Sequence, residues 1–435
     1  MKLTAHLGKI TWSLADKVLY VAFGLVQFVQ IAALPAEVYG VFALLVGLNT
    51  WIMIVSDGSA LAGIIQYGVR PEERKRVNLM ALIIHTIVVS VAAGGIYLLR
   101  DPLVQLFRVE QFATVATLLP LYCLLSLPRM FCLKIIYREM RMKDLFVADA
   151  IWFGVRTILT FWAISNDALH TLNDIVLIDF AGMAASSIAT MALTRKDLIF
   201  GWSGTISLGA YLRYGVPLAM ATALNSAPRQ LEVYVIAAYF GIGVVGVYTP
   251  AKNLYRIFEQ AFDAVTTLLY PAAVRMYSQN RMEDLQILVT KAISVTLIPT
   301  VIVVVALELG LSQLLIPILG EKYAAAVDHF NVLSIAALGM PFVLMSSIIA
   351  AMGRSTVIVK YSAVGLLVAG GVLFIVGELG HPLLVGLGLV ANTIVVGILC
   401  TMHVKHELRF PIRALGRIYT DVKSAFASRR NGASQ

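Results

Sequence analysis

The feature that most constrains this chain is the recurrence of long apolar segments along almost its whole length. Stretches of about 20 apolar residues, enough to cross a bilayer core as a helix, follow one another as far as residue 403. Of the 435 residues, 59% are hydrophobic and 14% are charged, a balance far more apolar than that of soluble domains. The segments are continuous rather than alternating, so the pattern predicts an all-α polytopic membrane protein and not an outer-membrane barrel.

Twelve transmembrane helices are predicted from these segments. They cover residues 12–33, 38–62, 77–99, 112–134, 145–165, 173–194, 209–239, 244–276, 285–308, 323–352, 357–377 and 382–403. In the loops and tails and at the adjoining ends of the spans, 25 Lys and Arg residues lie on the side of the N-terminus, and only Arg100, Arg108 and Lys322 lie on the other. Cytoplasmic loops carry the excess of basic residues, so both termini are expected in the cytoplasm. This placement accounts for the net charge of +9 without a nucleic-acid partner.

Two short stretches of the first half recur in the second half. VYGVFALL begins at Val38 and VVGVYTPA at Val244, 206 positions later, while VEQFATV at Val109 and GEKYAAAV at Gly320 show a similar offset. Six predicted spans separate the copies, so both halves cross the membrane in the same direction. This favours two six-helix lobes related by a parallel pseudo-repeat. The predicted division is 1–194 and 209–404 for the lobes, 195–208 for a cytoplasmic connector and 405–435 for a basic tail.

The basic tail combines Lys and Arg with apolar residues at helical spacing. This pattern is typical of an amphipathic helix that lies on an anionic inner leaflet. A basic tail that only fixes the orientation of the chain would explain the same composition equally well.

The eighth predicted span carries a stripe of charge. Its residues Lys252, Arg256, Glu259 and Asp263 follow at spacings of four, three and four, which places them on one helical face. A charge at the centre of a membrane helix costs about 2.5–3.5 kcal/mol on insertion scales, so such groups face a bundle interior or water. Polar faces on the first, fifth and seventh spans extend the pattern, including Asp149, Arg156, Asn225, Arg229 and Glu232. Together they predict a water-filled cavity between the lobes.

Two roles are open for the cations in these spans. Arg229 with Glu232, and Arg256 with Glu259, are three residues apart and could form structural ion pairs. A surplus of fixed cations instead favours an anionic ligand, and the planar guanidinium fork suits phosphate. The predicted substrate-binding residues for a pyrophosphate or anionic glycan are Arg156, Arg229, Lys252 and Arg256.

Four carboxylates on these polar faces are candidates for ion coupling: Asp16, Glu232, Glu259 and Asp263. Glu259 and Asp263 are the stronger pair, because they lie one turn apart beside two basic residues. A carboxylate there could pair with a cation when no ligand is bound and take up H⁺ or Na⁺ when the ligand claims that cation. The alternative is that these carboxylates only tune the charge of the cavity.

Motifs for catalysis are absent from the sequence. GIGVVG at residues 241–246 matches a glycine-rich fingerprint, but no strand precedes it, so a tight turn is predicted. We find no Walker A, HExxH or CxxC pattern, and the three cysteines fall in predicted spans, so neither a metal, a cofactor nor a disulfide framework is expected. His85 and His329 are isolated and are predicted as core residues. The chain is therefore predicted to be a transporter and not an enzyme.

Several stretches resemble one family in the order in which they occur. They are LPAEVYGVFALL with SDGSALAGIIQYG, LSLPRMFCLKIIYREMRMKDLFVADA, YFGIGVVGVYTPAKNL, YPAAVRMYS, ILGEKYAAAV and AAMGRS. Over residues 10–360 they are similar to the Wzx-like polysaccharide flippases of the multidrug/oligosaccharidyl-lipid/polysaccharide exporter superfamily. Members commonly carry Asp where this chain has Glu232, which leaves the role of that residue open.

The resemblance implies a flippase that moves a polyprenyl-pyrophosphate-linked oligosaccharide from the inner to the outer leaflet of a bacterial inner membrane. H⁺ or Na⁺ would be the coupling ion, and membrane lipids and other polysaccharide-assembly proteins would be partners. A multidrug extruder of the same superfamily is the alternative, although organic cations favour a cavity of negative charge. A membrane-embedded glycan polymerase or ligase is a further alternative, but such enzymes usually need a large outer loop.

Overall fold

The computed structural model describes residues 4–107 and 109–408, and within these ranges the regular structure is helical. The α-helices of the first half are α1 (Thr4–Ala33), α2 (Ala36–Ser56), α3 (Ala62–Tyr67), α4 (Arg74–Leu98), α5 (Arg100–Phe107), α6 (Phe112–Arg138), α7 (Met142–Ser165) and α8 (Leu172–Thr194). Those of the second half are α9 (Leu208–Phe240), α10 (Ile242–Ser278), α11 (Met282–Glu308), α12 (Ile316–Leu319), α13 (Ala324–Ala337), α14 (Met340–Val343), α15 (Met345–Ala351), α16 (Ser355–Leu379) and α17 (Leu387–Leu408).

Each predicted span corresponds to a helix or to a group of helices. In the described residues, nine helical segments are long and apolar enough to cross a membrane, and α13 with α14 and α15 forms a tenth that is bent by 41°. The remaining two predicted spans are α9 and α10, with 33 and 37 residues. Both exceed the length that a bilayer needs, and their polar residues lower their hydropathy.

Two spans depart from the single straight helices that the sequence predicts. The second span continues to Tyr67 and contains a π-helical turn, Asp57–Leu61, between α2 and α3. The tenth span is interrupted between Ala337 and Met340, where Pro341 cannot donate a backbone hydrogen bond to the preceding turn. The short helix α5 lies in a loop for which no helix is predicted.

The described chain divides into two compact units. The first runs to Pro250 and includes Ile318–Tyr323, and the second contains Ala251–Pro317 and the chain from Ala324 onward. The first unit therefore includes α9 and the beginning of α10. The lobe boundaries at 194 and 209 remain a prediction, and the predicted basic tail, apart from its first four residues, lies outside the described residues.

A buried apolar cluster of the first unit lies between the second, third, fourth and seventh spans. Its buried residues are Ala60, Leu61, Ile64, Val77, Met80, Ala81, Phe131, Cys132, Ile135 and Tyr211. Lipid tails are as apolar as these side chains, so close packing rather than water exclusion holds such helices together. Accordingly, Gly63 packs so tightly on the Tyr211 ring that an added Cβ would overlap it.

The predicted connector is held against α4. Glu73, at the N-terminus of that helix, accepts hydrogen bonds from the Thr205 backbone nitrogen at 2.8 Å, from its hydroxyl at 2.5 Å and from the Ile206 backbone nitrogen at 3.2 Å. These bonds lower the pKa of Glu73 below its ordinary value. Gly204 adopts φ +140°, and an added Cβ would lie 2.6 Å from the Glu73 carboxylate. The hydrogen bonds between Glu73 and the connector therefore require glycine at position 204.

The second unit has its own core. Its buried residues come from α10, α11, the broken tenth span and α17, and include Phe262, Leu285, Met345, Ile348, Ile349 and Cys400. Large apolar side chains on the outer faces of both units are exposed, among them Leu98, Ile158, Leu177, Ile302 and Leu367. Such surfaces are expected to face lipid in a polytopic membrane protein.

Candidate functional site

A buried ion pair joins two membrane helices of the first unit. Arg156 on α7 and Asp179 on α8 approach to 2.6 Å, with side chains only 5% and 2% exposed. The Arg156 guanidinium lies over the rings of Phe23 at 4.4 Å and Trp152 at 5.3 Å, and Tyr122 lies beside the same carboxylate. Removing one partner of such a pair leaves an uncompensated buried charge. In this arrangement the predicted substrate residue Arg156 is engaged inside the unit.

A second arginine also contacts the Trp152 ring. Arg129 on α6 pairs with Asp149 on α7, donates from Nε to the Ser186 hydroxyl at 2.9 Å, and lies 4.4 Å from the Trp152 ring centroid. The Trp152 indole thus faces two guanidinium groups. Cation–π contacts of this kind strengthen where water is excluded.

Asp16 on α1 lies beside Asp149, so two carboxyl groups and the Arg129 guanidinium form one cluster. Two adjacent carboxylates repel each other when both are ionised, and binding of one proton relieves that repulsion. The predicted coupling residue Asp16 therefore belongs to an arrangement that can hold a proton or a small cation.

One face of α1, which carries the polar and aromatic residues Tyr20, Phe23 and Gln30, packs against α7. Tyr20 and Phe23 contact the Phe153 ring at centroid distances of 5.7 and 4.6 Å, and Gln30 donates to the Thr160 hydroxyl at 2.7 Å. Phe23 and Gln30 are buried. These side chains form a helix–helix interface inside the first unit.

Glu232 and Arg229 have different surroundings although they lie on the same helix. Glu232 is fully buried and accepts a hydrogen bond of 2.9 Å from the Tyr248 hydroxyl, whereas Arg229 is exposed. The Tyr248 bond ties α9 to α10 near their common turn at Gly241. The arrangement gives Glu232 a structural partner and leaves its part in ion coupling a prediction.

The four charges of the predicted stripe lie on α10, in the second unit. Because α10 is continuous from Ile242 to Ser278, the helical spacing on which the stripe depends is confirmed. Lys252, Arg256 and Glu259 are partly buried, and Asp263 is exposed. The spacing of the stripe is therefore real, while its roles in ligand binding and ion coupling stay predictions.

Three charged residues that form ion pairs in the first unit were not singled out from the sequence. Asp179, Asp57 and Lys134 lie in segments of membrane-spanning length, and Lys134 contacts Asp57 at 2.8 Å. Arg156 pairs with Asp179 and Arg129 with Asp149, so these two arginines contribute no surplus of cations. The signal was available: a lone carboxylate in an apolar span, such as Asp179, is itself a sign of a charged partner.

Among the described residues, no group of three or more His, Cys, Asp or Glu side chains could hold a metal ion. His85 and His329 are both buried, as predicted. His85 contacts the Ser56 hydroxyl at 2.5 Å through Nδ1 and the Leu127 carbonyl at 3.3 Å through Nε2, so it links the second, third and fourth spans.

A family model described as "Polysaccharide biosynthesis protein" matches residues 34–328, which is more than half of the chain. The chain belongs to this polysaccharide biosynthesis protein family. No curated protein matches the sequence. The resemblance to the Wzx-like branch of the exporter superfamily is thereby confirmed at the family level.

Solved structures with the same fold come from one superfamily. An inward-facing multidrug resistance MATE family transporter of the MOP superfamily has a TM-score of 0.71 at 16% identity, with 91% of this chain and 94% of that chain covered. The lipid II flippase MurJ, in an inward closed conformation, has a TM-score of 0.69 at 14% identity, with coverages of 94% and 90%. A variant of the Vibrio cholerae MATE transporter VcmN scores 0.57 at 16% identity, with 93% and 100% covered.

These likenesses confirm the fold class, a polytopic all-α protein with twelve membrane helices in two lobes. Together with the family match, they show that a member of the polysaccharide biosynthesis protein family has this fold.

Proposed function

We propose that the protein is a flippase that moves a polyprenyl-pyrophosphate-linked oligosaccharide from the cytoplasmic leaflet to the outer leaflet of a bacterial inner membrane. The supporting observation is the presence of cations on membrane-length helices of a polysaccharide biosynthesis protein, with Arg229 on α9 and Lys252 and Arg256 on α10. Arg and Lys both bind phosphate, Arg by a bidentate fork and Lys as a point charge. The fold shared with a lipid II flippase agrees with a lipid-linked saccharide as cargo.

Arg156 is the fourth proposed substrate residue, and its ion pair with Asp179 determines how it would act. Binding of a pyrophosphate by Arg156 requires the guanidinium to exchange Asp179 for the ligand. Arg229, Lys252 and Arg256 would provide the remaining positive charge. Export of an O-antigen, capsule or exopolysaccharide unit would follow by alternating access, as in transporters built from repeats.

Ion coupling is proposed to use the carboxylates of α1 and α10. The position of Asp16 beside Asp149 and Arg129 supports this role, because either the Arg129 charge or a bound proton can offset the repulsion between the two carboxylates. Glu259 and Asp263 follow Lys252 and Arg256 on one helical face, so a ligand that claims those cations would free a carboxylate for H⁺ or Na⁺. Either route makes ligand and ion compete, which is what antiport requires.

The test is transport of a lipid-linked oligosaccharide by the purified protein in proteoliposomes. We expect the wild-type protein to expose the saccharide on the opposite leaflet, and an imposed pH or Na⁺ gradient to change the rate. Arg256→Ala should transport more slowly at the same protein level, with Arg281→Ala, an exposed arginine paired with Asp284, as control. A wild-type protein that moves no lipid-linked saccharide would contradict the proposal.

The multidrug alternative is distinguished in the same vesicles. The MATE transporters that share the fold support it, and it predicts efflux of an organic cation such as ethidium. Ethidium efflux in the absence of saccharide transport would replace the proposed function with this alternative.

A further inference from the structure

The second span contains an ion pair at a place where its helix changes geometry. Asp57 opens the π-helical turn Asp57–Leu61, which lies within an apolar span from Ala36 to Tyr67. Single π turns inside α-helices occur frequently at functional sites. Lys134, four residues before the end of α6, reaches this carboxylate at 2.8 Å to Oδ1 and 2.9 Å to Oδ2.

This pair is more exposed than the Arg129–Asp149 and Arg156–Asp179 pairs. The side chains of Arg129 and Asp149 are 8% and 15% exposed. The side chains of Lys134 and Asp57 are 19% and 29% exposed, against 5% and 2% for Arg156 and Asp179. Breaking a sealed pair strands a buried charge, whereas a part-exposed pair can exchange one partner at little cost. Of these three pairs, Lys134–Asp57 is therefore the one that can exchange a partner most readily.

The backbone around Asp57 is held firmly. An added Cβ on the neighbouring Gly58 would lie 2.7 Å from the Ala219 Cα atom and 2.9 Å from the Thr222 hydroxyl, so the π turn packs directly on α9. When the pair separates, the flexible Lys134 side chain is therefore the group that moves. Lysine suits that role, because its ammonium is a compact charge on a long, mobile stem.

The pair also lies near the carboxylate cluster of α1 and α7. Tyr137, one turn after Lys134 on α6, is within electrostatic range of Asp57, Asp16 and Asp149. The Lys134–Asp57 pair and the Asp16–Asp149 cluster therefore lie in the same region of the first unit.

We propose that Lys134 is a phosphate-binding residue for the lipid carrier, and that Asp57 is a built-in competitor which occupies it when no ligand is bound. This inference rests on the proposed function, and it adds a binding residue on α6 to the cations proposed on α9 and α10. The Asp57 carboxylate weakens binding and so favours release of the phosphate after transport. Loss of Asp57 should therefore raise the affinity for the ligand, and loss of Lys134 should lower it.

The test measures binding of a polyprenyl pyrophosphate without sugars to the purified full chain in detergent. Asp57→Asn should bind about fivefold more tightly, since a part-exposed pair stabilises weakly. Lys134→Gln should bind at least about tenfold more weakly, and Lys134→Arg should recover most of the loss. Glu407→Gln, which disrupts the exposed pair with Arg354 in the second unit, is the matched control and should leave binding unchanged.

The signs of these changes separate the outcomes. A purely structural pair predicts that Asp57→Asn and Lys134→Gln weaken binding alike, together with a lower unfolding midpoint, and this would overturn the inference. If Asp57→Asn binds no more tightly than the wild type, the inference is also wrong, regardless of the results for the Lys134 variants. If inorganic pyrophosphate shows the same changes and the lipid does not, the site takes a free anion and the lipid assignment is wrong. A wild-type protein that binds no polyprenyl pyrophosphate contradicts the proposed function itself.

Discussion

Gly40 and Gly246 face each other where α2 crosses α10, and each lies against the carbonyl oxygen four residues before the other. An added Cβ on Gly40 would overlap the Ile242 carbonyl and lie 3.0 Å from the Gly246 nitrogen, and one on Gly246 would overlap the Ala36 carbonyl. The two glycines are 206 positions apart, which is the offset of the first internal repeat. Reciprocal contacts of this kind are the signature of a two-fold relation between the helices.

We expect Gly40→Ala and Gly246→Ala each to lower the free energy of unfolding by about 1–3 kcal/mol, because the added methyl group forces the helices apart. The measurement is the unfolding midpoint of the purified protein. Gly94→Ala is the matched control, since no atom lies within 4 Å of its added Cβ. If Gly40→Ala and Gly246→Ala have the same unfolding midpoint as the control, the close approach of α2 and α10 does not contribute to stability.

The Arg156–Asp179 pair predicts a pattern that separates structure from ligand binding. Arg156→Ala should destabilise the protein by about 3–5 kcal/mol, because Asp179 is left buried without its partner. The double variant Arg156→Met with Asp179→Leu should regain most of that stability. If Arg156 also binds the carrier, the double variant remains defective in transport at normal protein levels. Wild-type transport by the folded double variant would reduce the pair to a structural role.

The coupling proposal predicts that Asp16→Asn and the double variant Glu259→Gln with Asp263→Asn respond less to an imposed ion gradient. The reason is that each change removes a carboxylate that could exchange ligand for H⁺ or Na⁺. The readout is the ratio of transport rates with and without the gradient in proteoliposomes, and Asp284→Asn, on the exposed start of α11, is the control. Gradient ratios identical to wild type in both variants would exclude these carboxylates as the coupling groups.

Glu73 predicts a pH-dependent release of the connector. Hydrogen bonds from Thr205 and Ile206 lower the pKa of Glu73, so its contribution to stability is fully present above the ordinary glutamate pKa. That contribution is lost as the pH falls through the lowered pKa. Protection of the amides at residues 199–206, measured as the intrinsic exchange rate at each pH divided by the observed rate, should therefore fall more steeply in acid in the wild type than in Glu73→Gln. The neighbouring exposed Glu72→Gln is the control, and equal acid responses in all three proteins would contradict the assignment.

The predicted orientation is tested by cysteine labelling in intact cells. Glu72→Cys and Ala168→Cys place an exposed thiol at each end of the helix bundle, while Cys123, Cys132 and Cys400 are buried. A membrane-impermeant reagent added from outside should label position 168 and leave position 72 unmodified. The reverse pattern would invert the topology and move both termini to the outer side.

Much of the fold could be predicted because the membrane makes local sequence decisive. A backbone in hydrocarbon must satisfy its own hydrogen bonds, so each apolar run of sufficient length becomes a helix, and the predicted spans match helices. The recurrence of the Gly40 motif at Gly246 likewise indicated the internal repeat. By contrast, the π turn at Asp57 and the break before Met340 depend on the neighbouring helices, and periodicity carries no trace of them.

The sequence by itself determined which helices carry charge, since an ionisable residue in an apolar run must find a polar environment. Only the tertiary structure decided the partners. Arg156 was predicted to face a ligand, and the fold pairs it with Asp179 from a helix that begins sixteen residues after Arg156. Lys134 is the last residue of the fourth predicted span, and it contacts Asp57, 77 positions earlier in the chain. Ion pairing depends on distances of a few ångströms between helices, and those distances are set by packing across the whole bundle.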